Sequence, residues 1–337
     1  MRPVKVLSPA AESATPMTPS AGCHRNDASE SGRESGDFKI VNLAAVLQCL
    51  PSGQPRSLGW QEKQDTRPDK MGSARHELSD VTAAILCGGL GSRLQPVLAD
   101  RPKTLAEVGG RPFLHYLLDQ LENAGVRRCV LLTGHMGDMV EAAIPPRWGD
   151  LAVHFSRESR PLDTGGALRL ALDSLDPGLV LVMNGDSWCE TDLHALRDFH
   201  LHHPAHATLV ASRVPDTGRY GSLRTNPDHR VLGFQEKAAA QGPGLASAGI
   251  YLLHRGLVER IPPHHRISLE RELFPHWARR VGVYAFETGS PFIDIGTPDS
   301  LASADEFLFT QSRHATAITG DALCEPGASR IASNGAA

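Results

Sequence analysis

From Val81 onward, apolar runs of strand length alternate with segments of helical periodicity. Strands are predicted at Ala83 to Cys87, Cys129 to Thr133, Leu151 to Phe155 and Leu179 to Met183, and helices at Arg111 to Ala124, Gly137 to Ile144 and Gly165 to Leu175. The first of these helices is amphipathic, and Gly125 directly after it is a typical C-cap. Such an alternation predicts an α/β fold: a doubly wound, mixed but mostly parallel sheet of the Rossmann-like type, with helices on both faces.

After Asp186 the alternation loosens. The remaining predicted elements are three strands with short connections, one helix and a last strand: Ala207 to Val214, Arg230 to Gln235, Gly249 to Leu253, Ser268 to Arg280 and Val281 to Phe286. We expect this region to add a smaller substrate-binding portion to the same domain.

The two ends of the chain differ in composition from its centre. Residues 1–78 are rich in Ser, Pro, Gly and charge and contain one short apolar patch, Ile40 to Leu47, so burial could hardly offset the entropy of ordering them. We expect a disordered N-terminal extension over 1–78, a functional domain over 79–312 and a frayed tail over 313–337. Because Met71 leads directly into the first strand, it is also a candidate for the natural start. Peptides from upstream of Met71 in mass spectra of the native protein would refute that hypothesis.

Charge and hydropathy exclude two classes of partner. The formal net charge of −4 gives no basic surface that would attract nucleic acid or an anionic membrane. Apolar runs such as Gly178 to Met183 are far shorter than the roughly 20 residues that a membrane-spanning helix needs. Six cysteines without a Cys-x-x-Cys pair fit neither a zinc site nor a disulfide framework, so we expect a cytoplasmic protein. The sequence leaves the oligomeric state open.

A glycine-rich turn, Gly88-Gly89-Leu90-Gly91-Ser92-Arg93, follows the first predicted strand. Turns at this place bind phosphates in open parallel sheets, because backbone N–H groups point at the anion. A P-loop would need Gly-Lys-Ser or Gly-Lys-Thr where Ser92-Arg93 stands. A dinucleotide-binding turn would need a glycine where Leu94 stands. A purely structural turn stays open, but it would leave the Ser92-Arg93 pair and Lys103 unexplained.

This glycine loop, together with later motifs in the same order, resembles the sugar-1-phosphate nucleotidyltransferases over about residues 80 to 310. The usual loop has Thr where Ser92 stands, which keeps the hydroxyl. The motifs are Gly88 to Leu94, Arg101-Pro102-Lys103, Pro161 to Ala167, Asn184-Gly185-Asp186, Tyr220-Gly221, Gln235-Glu236-Lys237, Ala248 to Tyr251 and Ile293 to Pro298. The finest resemblance, in Leu94 to Lys103, Gly218-Arg219-Tyr220-Gly221 and Phe292 to Pro298, is to D-glycero-D-manno-heptose 1-phosphate guanylyltransferases.

The resemblance implies a reaction. A sugar 1-phosphate would attack the α-phosphorus of a nucleoside triphosphate, GTP being expected, and pyrophosphate would leave. The nucleotide-activated heptose would serve surface-polysaccharide synthesis. Mannose 1-phosphate guanylyltransferases and N-acetylmuramate 1-phosphate uridylyltransferases are close alternatives. A protein of another class, a catalytically silent nucleotide-sugar sensor, is a further alternative, although it would need neither magnesium nor an attacking geometry.

The resemblance also implies roles for individual residues. Two cations and two acids would be catalytic, with Mg²⁺ as the cofactor held by the two acids: Arg93, Lys103, Asp186 and Asp294. Asp186 follows an apolar strand, where such sheets build their sites, and magnesium bound by one carboxylate calls for a second ligand. The expected nucleotide-binding residues are Leu86, Gly88, Gly89, Gly91, Ser92, Glu158 and Gly165, and the expected sugar-phosphate-binding residues are Gly221, Glu236 and Lys237.

Three smaller features allow two interpretations each. Thr164 and Gly165, at a helix start, could donate N–H groups to the ligand, and Asp163 could bind or merely cap that helix. His200, His202, His203 and His206 invite a metal interpretation, but their spacing puts no clean i, i+4 pair on one helix face, so they are more typical of a polar helix end. Cys87 beside the glycine loop is expected to be a buried, small apolar residue rather than a redox group.

Overall fold

The computed structural model describes residues 78–235 and 242–309. Three predictions lie outside the described residues. They are the N-terminal extension over 1–78, of which only residue 78 is described, the start at Met71 and the tail over 313–337.

Fourteen strands are described in chain order. They are β1 Val81–Leu86, β2 Glu107–Val108, β3 Arg111–Pro112, β4 Arg128–Thr133, β5 Arg147–Trp148, β6 Leu151–Arg157, β7 Leu179–Asn184, β8 Ser187–Cys189, β9 Ala207–Val214, β10 Ser222–Thr225, β11 Val231–Gln235, β12 Gly244–His254, β13 Val283–Thr288 and β14 Phe292–Asp294.

The described α-helices are α1 Phe113–Asn123, α2 Gly137–Ala143, α3 Asp163–Leu170, α4 Leu193–His202, α5 Arg255–Glu259, α6 Phe274–Ala278 and α7 Pro298–Ala302. Residues 304–309 are also helical. Within the described ranges, 78–235 and 242–309, no helix is both long and apolar enough to cross a membrane.

One large mixed sheet dominates the fold. Its strands follow the order β11-β10-β12-β7-β1-β4-β6-β5, and β9 joins β12 to β13. The central strands β7, β1, β4 and β6 are parallel, as are β9 and β13. Strand β12 runs antiparallel to both β7 and β9. The predicted mixed sheet with a parallel centre is therefore confirmed.

The order of the parallel strands places the binding crevice. From β1 the chain moves outward to β4 and β6 and then returns to the other side of β1 to form β7. In doubly wound sheets, ligands bind where the order reverses, outside the carboxyl ends of the strands. The turns that follow β1 and β7 are thus the expected walls of a site.

Both faces of the sheet are covered, as the alternation of the strand residues requires. On β1, Ile85 belongs to the apolar cluster that contains Leu117 of α1, whereas Ala84 belongs to the opposite cluster with Leu168 of α3 and Phe274 of α6. All five residues are fully buried. The two clusters confirm that the fold is doubly wound.

The region after Asp186 differs most from the prediction. The helix predicted over Ser268 to Arg280 is a π-helical segment, Leu269–Leu273, followed by the short α6. The strand predicted at Gly249 to Leu253 is the centre of the longer β12. Strands β8, β10 and β14 were not predicted, because each has only three or four residues and is defined by its partner rather than by a periodic pattern.

Candidate active site

The site is built around the neighbouring carboxyl ends of β1 and β7. Leu86 is the register partner of Asn184, and the Gly185 N–H donates to the Leu86 carbonyl at 3.0 Å. A Cβ on Gly185 would lie 2.5 Å from that carbonyl oxygen and 2.8 Å from Thr104 Cγ2. Only glycine therefore fits at this contact, which holds the turn carrying Asp186 against the end of β1.

The glycine loop lies against Lys103. A Cβ on Gly89 would lie 3.4 Å from Lys103 Cε and 3.5 Å from its Nζ. Gly91 has a φ of +59°, a left-handed conformation that favours glycine, and its carbonyl accepts the Leu94 N–H at 2.8 Å. Ser92 next to it is exposed. The loop thus leaves room for the lysine stem at the mouth of the site.

Lys103 and Asp186 form an ion pair that is largely shielded from water. Lys103 Nζ contacts Asp186 Oδ2, and the two side chains are 20% and 15% exposed. Burial alone would raise the pKa of the Asp186 carboxyl, but the Lys103 ammonium and its hydrogen bond hold that pKa below its ordinary value. Lys103 therefore keeps Asp186 ionised, the state that a bound cation requires.

Asp294 comes to the same place from the far end of the chain. Strand β14 pairs with β8, and the N–H of Ile295 donates to the Asp186 carbonyl at 2.9 Å. Burial, together with the nearby negative charge of Asp186, raises the pKa of the Asp294 carboxyl. Two neighbouring carboxylates whose pKa values are shifted in opposite directions are typical of a site that receives a cation or a proton.

Arg93 reaches from the glycine loop toward the Asp294 turn. The position that a Cβ on Gly296 would occupy lies 3.7 Å from Arg93 Nη2 and 2.6 Å from Asp294 Oδ1. The structure thus brings together all four predicted catalytic residues, although they come from three distant parts of the chain. Two carboxylates flanked by an ammonium and a guanidinium can bind a divalent cation and phosphate groups side by side.

Glu158 lies beside the start of the glycine loop. Its Oε2 accepts the Leu162 N–H at 2.9 Å, and its Oε1 is 3.1 Å from a Cβ position on Gly88 and 2.7 Å from one on Gly134. Burial raises the pKa of this carboxyl. Two glycines therefore make room for a carboxylate that faces the loop, at a position where the sequence resemblance implies a nucleotide-binding residue.

The predicted ligand-binding role of Gly165 is wrong for its N–H group. Gly165 is buried, and its N–H donates to the Ile267 carbonyl at 2.9 Å, because α3 packs closely against the segment that precedes α6. The Thr164 N–H donates to Asp163 Oδ1 at 3.0 Å. Asp163 is itself the first helical residue, so one of its carboxylate oxygens accepts an N–H of the helix start and the other pairs with Arg271.

The predicted sugar residues are described in part. Gly221 has a φ of +79°, and its N–H donates to the Thr217 carbonyl at 2.8 Å in the turn before β10. Glu236 and Lys237 lie outside the described residues.

Sequence reasoning missed Arg219. Its Nη2 donates to the Asp294 carbonyl at 3.0 Å and lies 3.8 Å from Asp294 Oδ1. The motif Gly218-Arg219-Tyr220-Gly221 belongs to the family resemblance, and it is the sequence signal that points to this arginine.

The histidines and Cys87 stand apart from this chemistry. Among the residues that the structure describes, no group of three or more His, Cys, Asp or Glu side chains is arranged to hold a metal ion. His200 is not part of a polar helix end, because it lies on the buried face of α4 and its Nδ1 bonds to Thr208 Oγ1 at 2.8 Å. The prediction for Cys87 is confirmed: it is buried, and burial raises the pKa of its thiol to about 12.

Comparison with known sequences fits this geometry. The sequence profile of the nucleotidyl transferase family matches residues 82–311. The chain is 32% identical over 228 residues to D-glycero-alpha-D-manno-heptose 1-phosphate guanylyltransferase of Aneurinibacillus thermoaerophilus, covering 68% of this chain and 98% of that protein. It is 33% identical over 234 residues to mannose-1-phosphate guanylyltransferase of Mycobacterium tuberculosis, covering 67% of this chain but only 64% of that relative's length.

Comparison with solved structures gives a similar result. The crystal structure of HddC from Yersinia pseudotuberculosis superposes with a TM-score of 0.61 at 33% identity, covering 67% of this chain and 99% of HddC. The structure of HddC complexed with GMP-PN superposes with a TM-score of 0.60 at 33% identity and the same coverage of both chains.

Proposed function

We propose substrates for this chain from one premise: it belongs to the nucleotidyl transferase family and is a sugar-1-phosphate nucleotidyltransferase. The proposed substrates are GTP and D-glycero-D-manno-heptose 1-phosphate, and the proposed products are the GDP-activated heptose and pyrophosphate. The observation that carries the proposal is the meeting of Lys103, Asp186 and Asp294 at the glycine loop.

The reaction joins two anions, so the site must neutralise charge while it aligns them. A phosphate oxygen of the sugar 1-phosphate forms a bond to the α-phosphorus of GTP, and the bond from that phosphorus to the bridging oxygen of the β-phosphate breaks. Arg93, with its planar fork of donors, suits the triphosphate, and the compact ammonium of Lys103 suits the α-phosphate.

Asp186 and Asp294 would hold the magnesium ion that the reaction needs. Their carboxylate oxygens are the donor type that Mg²⁺ prefers, and two protein ligands suffice because the ion keeps several waters and takes substrate phosphate oxygens. Bound there, the ion would neutralise phosphate charge. The depressed pKa of Asp186 supports this assignment, since the carboxylate is ionised before any cation arrives.

Glu158 supports GTP as the triphosphate. Its carboxylate lies next to Gly88. Oε2 accepts the Leu162 N–H, and Oε1 faces the glycine loop. A carboxylate can accept the N1–H and N2–H donors of guanine, a pair that uracil and thymine lack. Both named sequence relatives are guanylyltransferases.

Heptose 1-phosphate is favoured as the sugar because the chain spans 98% of the heptose relative but 64% of the mannose relative. Mannose 1-phosphate is the second candidate, supported by the 33% identity to the mycobacterial enzyme. We further infer that the product serves surface-polysaccharide synthesis and that the enzyme is cytoplasmic. The cysteines in the described ranges, Cys87, Cys129 and Cys189, are free thiols, which is consistent with a reducing compartment.

A substrate panel tests the proposal. The full chain is incubated with Mg²⁺, each of GTP, UTP, dTTP, CTP and ATP, and heptose, mannose or N-acetylmuramate 1-phosphate, and pyrophosphate release is measured. The highest kcat/KM is expected with GTP and the heptose phosphate. A UTP preference would refute the guanylyl assignment. Without release from any pair, while GTP still binds, the silent sensor would be the better interpretation.

A further inference from the structure

Arg219 lies beside Asp294, although the reaction above gives it no role. Besides the hydrogen bond to the Asp294 carbonyl, its guanidinium carbon lies 5.2 Å from the centroid of the Tyr220 ring. That ring packs edge-on against Phe292, the first residue of β14, with 4.7 Å between the ring centroids. These contacts hold the guanidinium where the loop before β10 meets the Asp294 turn.

The loop does not depend on Arg219 for its conformation. Thr217 is buried, and its N–H donates to the Gly242 carbonyl at 3.1 Å. The Thr217 carbonyl in turn accepts the N–H groups of Tyr220 at 3.1 Å and Gly221 at 2.8 Å. The Arg219 side chain is 41% exposed, and exposed ion pairs contribute little to folding. A purely structural reason for a guanidinium here is therefore weak.

Charge gives a functional reason. Arg93 and Lys103 lie in the region that would receive the triphosphate, whereas Arg219 comes from the loop that ends at Gly221, in the region assigned to the sugar. A sugar 1-phosphate brings its own negative charge next to the triphosphate, and each anion needs a cation at its own position. An arginine can present two parallel N–H donors to one phosphate. Its bond to the Asp294 carbonyl uses only one of five donors.

We propose that Arg219 binds the phosphate of the sugar 1-phosphate and orients it toward the α-phosphorus of the triphosphate. This inference rests on the proposed function, because it assigns a partner to the acceptor substrate of that reaction. It makes Arg219 a binding residue for the acceptor rather than a ligand of the nucleotide.

Steady-state kinetics with Arg219→Ala, Arg219→Lys and the control Arg213→Ala test the proposal. Arg213 is a matched control because it lies in the same region, is 75% exposed and pairs with Glu287 at 2.8 Å. For Arg219→Ala we expect the KM for the sugar 1-phosphate to rise about 10- to 100-fold, the range for a lost charge-assisted hydrogen bond, with the KM for GTP nearly unchanged. Arg219→Lys should recover part of the loss, and Arg213→Ala should behave as wild type.

Two results would overturn the proposal. One is an unchanged KM for the sugar 1-phosphate in Arg219→Ala while wild type is active. The other is a shifted Mg²⁺ dependence with an unchanged sugar KM, which would make Arg219 a partner of Asp294 alone. If Arg219→Ala instead lowers Tm and raises both KM values equally, the folded Arg219→Lys variant decides: a raised KM for the sugar 1-phosphate alone supports the proposal, and an unchanged one overturns it. If wild type releases no pyrophosphate with any substrate pair, the proposed function fails first and this inference fails with it.

Discussion

Residues 78–186 and residues 187–309 position their functional side chains by different means. In the first region, the glycine loop and Asp186 directly follow the adjacent parallel strands β1 and β7, so the pleat and register of the sheet fix them. In the second region, Asp294 ends a strand of three residues, and Arg219 lies on the loop between β9 and β10. The first region therefore provides a fixed frame, and the second contributes side chains through short, separate contacts.

The largest loss of activity is expected when the acid that each region contributes to the site is replaced. Asp186→Asn and Asp294→Asn should each lower kcat by at least on the order of 10²–10³-fold, because each removes a carboxylate that would hold the cation neutralising the phosphate charge. Pyrophosphate release measures the loss, and a melting curve shows that the fold is retained. Asp150→Asn is the control, since that carboxylate is 72% exposed and pairs with Arg127. Near-normal turnover in either variant would remove that acid from the site.

The second comparison uses two glycines. Gly185→Ala would push a Cβ against the Leu86 carbonyl, at a cost of about 1–3 kcal/mol, and would displace Asp186. We expect a lower Tm and reduced kcat. Gly256→Ala in α5 places its Cβ in open space and should leave both nearly unchanged. Equal effects in the two variants would mean that the first region is no more tightly fixed than the second.

We expect the base of the nucleotide to be recognised by Glu158, a residue of the first region, and by no residue of the second. In Glu158→Gln, the amide oxygen can still accept the Leu162 N–H, but the NH₂ group then faces the loop and repels the guanine donors. The KM for GTP should rise about 10-fold or more, in line with the loss of a charge-assisted hydrogen bond, while the KM for the sugar 1-phosphate stays unchanged. If the GTP preference survives, guanine is recognised elsewhere.

The smallest effect is on the stability of the fold at low pH, which we expect to depend on a buried histidine of the second region. Burial, reinforced by His254 and His206, lowers the pKa of His200 to about 3 from an ordinary value of 6.5. The unfolded chain therefore binds a proton between these values that the folded chain does not, so this contribution to stability is present above pH 6.5 and is lost as the pH falls.

We expect Tm to fall between pH 7 and pH 5, with one such histidine contributing at most about 1.4 kcal/mol per pH unit. His200→Asn can keep a hydrogen bond to Thr208 Oγ1 but cannot titrate. Its Tm should fall less steeply over the same range. A slope identical to that of wild type would show that His200 does not govern acid stability.

How much the sequence predicted also differs between the regions. The strands and site residues between Val81 and Asp186 could be predicted from sequence because each parallel strand is a buried apolar run. The residues that follow such strands must all lie at the same edge of the sheet. The partner of the Gly165 N–H could not be predicted, because a helix start resembles an anion site in sequence, whereas the Ile267 carbonyl that takes this N–H is about a hundred residues away. Arg219 could not be placed for the same reason, since its partner, the Asp294 carbonyl, is fixed by the pairing of β14 with β8.

Strand β12 has a consequence for how the two regions could have evolved. It pairs with β7 on one side and β9 on the other, and Tyr251 from its centre is fully buried. A fragment ending at residue 186 would expose the edge of β7 as a template for aggregation. The two regions therefore contribute different residues to the site, but they fold and evolve together as one domain. New acceptor substrates would arise by changing loops such as the one carrying Arg219, and not by exchanging the halves between proteins.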